Sequence, residues 1–337
     1  MKIVTLSVIA SVALSASGLV QVADKAGLKS IPESTLELLK LTDNPKNPIT
    51  ESKVELGKKL YFDPRLSKSG LISCNTCHNL AEGGDDGVSA AIGHAWRANP
   101  HHLNSPTVYN AVFFDSQFWD GRDPDLEKQA QGPILAAPEM AASKEHVVST
   151  VLSMPAYVDE FKEAYGDSVQ IDYETITATI ATFERTLVTP SRFDDFLNGK
   201  HNAIDKEEKR GLEIFIDRGC ASCHNGIALG GSMSAFEVAN KYKYASLGDF
   251  SGDKNSQVKV PTLRNLSATA PYFHNGAIWS LDEAIVEMGR VQLGLDLNRT
   301  DVDSIKKFLG TLDGRVPQVI YPILPASTES TPRPDAN

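Results

Sequence analysis

Two short strings carry the chemistry of this chain: Cys74-Asn75-Thr76-Cys77-His78 and Cys220-Ala221-Ser222-Cys223-His224. Both read C-x-x-C-H, the pattern that attaches a c-type haem. Two thiols three positions apart add to the two vinyl groups of one porphyrin. The adjacent histidine then lies under the iron as proximal ligand. These are the chain's four cysteines, so none is left for a disulfide. A redox dithiol needs no histidine after it, and a four-cysteine zinc site needs its two pairs close in space. Two covalently bound c-type haems are the expected cofactors.

The other axial position decides between electron transfer and chemistry at iron. For the second haem, Met288 follows His224 at a distance that lets a loop wrap the ring, while Met233 is too near in sequence to reach over. For the first haem, spacing nominates Met140, and His94 in Gly93-His94-Ala95-Trp96 is a rival. Glu139 beside Met140 is an acid able to carry a proton at a vacant iron face. Spacing alone leaves this ligand open. Glycines at 83, 84, 87 and 93 predict low local stability around His94. His101, His102, His146 and His201 read as surface residues, and Asp85-Asp86 as a solvated turn.

These groups must be positioned by helices and long loops. A helix leads into each motif, with Val54, Leu56, Leu60 and Tyr61 on one and Leu212, Phe215 and Ile216 on the other. The stretches starting at Gly57 and Gly211 form an internal repeat. Further helices are expected at 173–188 and 301–312, stopping before Pro190 and Gly314. The expected class is mainly α: two cytochrome c-like haem domains joined in one chain, with long loops and little β. The division is 24–190 and 191–337, with the polar stretch 190–202 at the boundary, 230–260 as loop and an extended tail at the end. Residues 1–23 read as a signal peptide: a charged start, an apolar run to Leu14, then small residues at Ala16-Ser17-Gly18 and Ala23. No other segment of the 337 residues is long and apolar enough to cross a bilayer. With 33 Lys and Arg against 43 Asp and Glu, a net charge of −10 excludes a nucleic-acid binder and suits a basic partner.

Further strings point to one family. They are Leu56-Gly57-Lys58-Lys59-Leu60, Phe62-Asp63-Pro64-Arg65-Leu66-Ser67, Asn104-Ser105-Pro106-Thr107-Val108 and Gln117-Phe118-Trp119-Asp120-Gly121-Arg122. Leu263-Arg264-Asn265, Thr269-Ala270-Pro271-Tyr272-Phe273-His274 and Met288-Gly289 follow. In this order, from Leu56 to Pro334, the chain resembles the bacterial di-haem cytochrome c peroxidases. The resemblance implies a peroxidatic haem on Cys74, Cys77 and His78, with His94 rather than Met140 as sixth ligand in the resting oxidised enzyme. It implies an electron-transfer haem on Cys220, Cys223 and His224, with Met288 as sixth ligand. Glu139 falls on the catalytic acid, Gln129 on its partner, and Trp119 on the tryptophan between the haems. Calcium is implied between the domains, on Asn104 and the carbonyls of Thr269 and Pro271. His274 reads as a haem-pocket or propionate-side residue. The segment 231–261 is shorter than in relatives, which bears on activation and donor docking.

The implied activity is reduction of hydrogen peroxide to two waters, with electrons from a small soluble periplasmic cytochrome c or copper protein. A periplasmic homodimer without stable membrane insertion is the matching expectation. Two other classes compete: a di-haem carrier with both irons six-coordinate, and a relative that oxidises a protein side chain in quinone-cofactor maturation. The Glu139 and His94 stretches oppose the first. Met288 opposes the second, where the resemblance would place a tyrosine.

Overall fold

A computed structural model describes residues 15–337. The described residues are mainly helical, with two two-stranded antiparallel sheets. The Glu51–Phe62 helix starts at Thr50, whose side chain accepts from Lys53 N, and buries Leu56, Leu60 and Tyr61. It crosses the Tyr173–Glu184 helix so closely that a Cβ on Gly57 would overlap the Thr179 carbonyl oxygen. In the second half the Lys206–Asp217 helix opens with a capping box of Asp205 and Glu208. It crosses Arg299–Leu309, where a Cβ on Gly211 would overlap the Ser304 carbonyl. The repeated glycine is thus a helix-crossing point, required by close approach.

Each crossing is the centre of one hydrophobic core. Leu56, Leu60, Ile176, Ile180 and Phe183 belong to the first, and Leu212, Phe215, Ile305 and Phe308 to the second. Overfilling such a crossing costs about 1–3 kcal/mol. Gly211→Ala should therefore lower the thermal midpoint by several degrees, read by calorimetry. Gly310→Ala, whose added Cβ meets nothing within 4 Å, should leave the midpoint near that of the parent.

Both ends of the chain cross over to the other half, which corrects the simple division at 190. The Ala16–Lys25 helix puts Leu19 (1% exposed) and Ala23 (0%) into the second core. Gly226 N, just past the second motif, donates to Gly27 O at 2.9 Å. Ile31 N donates to Asp194 Oδ1 at 2.7 Å, and Asp194 is held by a bidentate pair with buried Arg264, both contacts 2.8 Å. Residues 24–31, expected with the first unit, pack on the second. The tail does the reverse: the Tyr321 ring meets Phe62 edge-on at 4.7 Å, Arg65 Nη1 donates to Pro325 O at 2.8 Å, and Asp335 N donates to Lys68 O at 2.9 Å.

Three other expectations are adjusted. The stretch 190–202, expected as a polar boundary, is a packed part of the second unit, because Phe193 and Phe196 of the Arg192–Leu197 helix are buried in the second core. Within 230–260 the strands Met233–Ala235 and Gln257–Lys259 pair antiparallel. Of the expected leader at 1–23, residues 1–14 lie outside the described residues, and the remainder overlaps the packed Ala16–Lys25 helix. No described helix is long and apolar enough to cross a membrane.

Candidate haem sites and the interface between them

The two motif histidines are fixed in the same way. His78 Nδ1 lies 2.9 Å from Pro106 O and His224 Nδ1 lies 3.2 Å from Leu229 O. A carbonyl accepts only from N–H, so Nδ1 carries the proton and the Nε2 lone pair is free for a metal. Burial lowers the pKa of both, that of His224 to about 4, which keeps the neutral ligand form. Burial also pushes the Cys74 and Cys77 thiols up, Cys77 to about 12. A reactive dithiol needs the opposite shift. Beside the second motif is an open cleft. Its walls include Cys220, Cys223, His224, Trp119 and Met288. Met288 is delivered by the Leu281–Leu293 helix, which begins at the Ser280 cap. Met233 lies against Gly121 of the first half. The set of two sulfurs, an imidazole and a thioether on a largely apolar wall fits a c-type haem.

In the first half, His94 sits on the turn between strands Ile92–Gly93 and Arg97–Ala98. A Cβ on Gly93 would overlap the Pro138 carbonyl, so this hairpin lies directly on the backbone of Pro138-Glu139. His94 Nδ1 is buried without a hydrogen-bond partner, which fits a group that arrives from outside the chain. The next two residues, Ala95 (φ 57°) and Trp96 (φ 55°), hold the left-handed region without being glycine. That is stored strain. The expected looseness from glycines is not what distinguishes the loop, because Asn79 N to Asp85 O, Gly84 N to Asn79 O and Val108 N to Gly84 O, each 2.9 Å, knit it together. Burial raises the pKa of Glu139 and the positive charge of Arg122 opposes this. Met140 is buried in the first core. Gln129 ends the short Leu126–Gln129 helix and is half-buried.

Between the halves the internal repeat continues, unseen in the sequence. Pro106-Thr107 matches Pro261-Thr262. Asn110 and Asn265, both at φ 62°, open matching turns, and Phe118 (φ 65°) matches Phe273 (φ 70°). At the same constant offset Trp119 matches His274 and Asn104 matches Lys259. The contacts are reciprocal: Asn104 N donates to His274 O at 2.8 Å, and Lys259 N donates to Trp119 O at 2.8 Å. Trp119 Nε1 donates to Asn104 O at 2.9 Å, and its ring meets His274 edge-on at 6.3 Å. Burial lowers the His274 pKa to about 4.

The candidate calcium residues converge here. Asn104 Nδ2 donates to Pro271 O at 2.7 Å, and Thr269 lines the same cleft as Asn104. Amide and carbonyl oxygens suit a hard cation, but the amide presents its nitrogen to Pro271. Asp85 lines the cleft too. It is 3% exposed and burial raises its pKa to about 7, so the expected solvated turn is corrected: Asp85 is an interior carboxyl. His102 is likewise not a plain surface residue, since its Nε2 is buried and unpaired. His146 Nε2 lies 3.0 Å from Arg65 O.

Comparison with known proteins gives the family. Residues 51–202 match the family model described as di-haem cytochrome c peroxidase. A cytochrome c551 peroxidase of Pseudomonas aeruginosa is 46% identical over 320 residues, covering 91% of this chain and 90% of that one. The chain belongs to the di-haem cytochrome c peroxidase family. A cytochrome c551 peroxidase of Nitrosomonas europaea is 47% identical over 295 residues, 85% of this chain and 87% of the relative. Among solved structures, a MauG-like protein associated with microbial copper homeostasis superposes with a TM-score of 0.71 at 26% identity, over 81% of this chain and 92% of that one. Family membership implies two haems. The residues that sequence reasoning missed in this family member are the Pro106 and Leu229 carbonyls, Asp85 and Lys259. The shared Pro-Thr pairs after each motif are a signal for Pro106 and for Lys259, two residues before Pro261; nothing in the sequence marks Leu229 or Asp85.

Proposed function

We propose that this chain reduces hydrogen peroxide to two waters, taking two electrons and two protons per turnover from a small soluble donor, a cytochrome c or a copper protein, and solvent. The observation that carries this is Glu139: a carboxyl with a raised pKa whose backbone Gly93 packs against, one residue from His94. When bound, the haem iron at His78 supplies the redox chemistry on peroxide. The protein's share is positional. His78 and His224 present neutral Nε2 atoms, His94 would be the further ligand that holds or yields the iron, and Glu139 holds and moves a proton between the two peroxide oxygens. Gln129 assists Glu139. A second haem would be held by Cys220, Cys223 and His224 with Met288 as its further iron ligand, and would supply the electron-entry centre; Trp119, in the same cleft, would lie between it and the first half.

Calcium on Asn104 and the Thr269 and Pro271 carbonyls completes the reading, with the Asn104 amide turned to present oxygen. We assign the two haem units to the two cores, with the first haem in 32–190 and the second in 191–312 plus the Ala16–Lys25 helix. Leader cleavage ahead of Ala16 would leave that helix intact and release the chain to the periplasm, as a homodimer. The test is a stopped-flow peroxide assay with reduced cytochrome c, before and after one-electron reduction. Peroxide consumption at the rate of buffer alone in both states refutes the reading. A pure electron carrier would have no use for a buried acid beside the first site, and a maturase of the quinone type would not use Met288.

Met288→Leu tests the electron-entry haem. Loss of the thioether should lower its potential and slow electron delivery. The measurement is a spectroelectrochemical titration, and an unchanged second-haem spectrum would mean that another residue is the ligand.

A further inference from the structure

Lys259 is a lysine where the fold has no evident use for one. It is 3% exposed, and its strand, Gln257–Lys259, is pinned at the domain interface by the backbone bond to Trp119 O. Its ammonium stands 4.8 Å over the face of the Phe114 ring. No carboxylate among the described residues lies within ion-pair distance of it. The acid whose charge acts on it, Asp120, is already paired with Arg122 at 2.9 Å. An ammonium buried beside one aromatic face is undercompensated, since burial of an unpaired charge is strongly unfavourable. Burial lowers its pKa to about 7, the expected response to that cost.

The cleft that Lys259 lines is the one holding Cys220, Cys223, His224 and Met288. Its repeat mate supplies a second, independent observation. Asn104 and Lys259 occupy equivalent places, each giving its backbone N–H to the other half's carbonyl. The first half puts a neutral amide there and the second half puts a cation. The difference is one of charge at otherwise matched positions, so the asymmetry should serve a difference between the two haems.

We propose that Lys259 is a cofactor-binding residue whose ammonium forms an ion pair with a propionate carboxylate of the second haem. This rests on the di-haem reading above. The haem brings the counter-charge that the protein lacks, and the desolvated pair is locked against Phe114 and Trp119. A fixed positive charge beside a haem favours the state with one more electron. Lys259 therefore raises the potential of the electron-entry haem; its charge also reaches His78, so both midpoints are read.

The test uses full-length, haem-loaded protein with Lys259→Met, Lys259→Gln and Lys259→Arg. Mass spectrometry first counts covalent haems, then spectroelectrochemistry gives both midpoints and resonance Raman reads the propionate bending modes. In Lys259→Met and Lys259→Gln the equilibrium constant for reducing the second haem should fall about tenfold, which is about 59 mV for a one-electron couple. The propionate mode should shift with it. Lys259→Arg should retain the parental midpoint and mode. If Lys259→Met fails to take up haem, Lys259→Gln still decides, because it keeps a hydrogen-bond donor and removes only the charge. Parental midpoints in a two-haem Lys259→Gln protein overturn the proposal, as does a shift confined to the first haem. A parent chain that carries no second covalent haem overturns the di-haem reading itself.

Discussion

Glu139→Gln should keep both haems attached and slow peroxide reduction by about 10²-fold or more, the usual scale of general acid–base work. The amide is nearly isosteric, so the Gly93 contact and the hairpin survive. What is lost is the ability to take a proton from one peroxide oxygen and return it to the other. The pH profile gives a second readout. Glu139 must begin as carboxylate, and burial raises its pKa. The parent rate should fall as pH drops through that raised value, at higher pH than an exposed glutamate would produce. The Gln variant should lack this limb. Steady-state rates between pH 4 and 8 would check both, and near-parental turnover in the variant removes Glu139 from the reaction.

His94→Gly should react with peroxide while fully oxidised, without prior reduction. The parent, with His94 engaged, should be slow in that state. If the open form is about 1% of the resting population, the parent's apparent rate is depressed about 100-fold, and the variant recovers that factor. On the proposed reading, the strain at Ala95 and Trp96 would let a ligand here leave at modest cost. Two adjacent non-glycine residues in the left-handed region are held by the surrounding hairpin, and release of the tip relaxes them. Stopped-flow mixing of oxidised protein with peroxide measures it. A parent that is already maximal when oxidised has no such switch.

The motifs and their leading helices were legible because each obeys a local rule. Covalent attachment fixes the Cys-x-x-Cys-His spacing, and a one-sided helix shows its period over the 12 residues of Glu51–Phe62. The proposed role of His94 was not legible from spacing, since Met140 fits the same loop length. It took the resemblance to nominate His94, and the structure adds the orphaned Nδ1 and the Gly93 contact. The interface was hidden for another reason. Its repeat is carried by backbone conformation at Asn110, Asn265, Phe118 and Phe273 and by reciprocal main-chain bonds. Few side-chain identities mark those, so Trp119 against His274 and Asn104 against Lys259 align only once the chain is folded. Asp85 beside glycines reads as exposed by composition, but it is buried where the neighbouring Gly83 packs on Ala268 and Gly84 on Thr107 and Tyr109.

The exchanged chain ends have a practical outcome for anyone who divides the gene. A cut at the 190/191 junction would strand the Ala16–Lys25 helix on the fragment that does not use it, and the 316–337 strap likewise. Each fragment would expose an apolar groove shaped for a piece of the other. Such halves should be sticky and poorly expressed when made singly, and should recombine when made together. Single-haem versions of either unit would need the missing terminus grafted back. A circularly rearranged gene, opened elsewhere, would be a better starting point than two truncations.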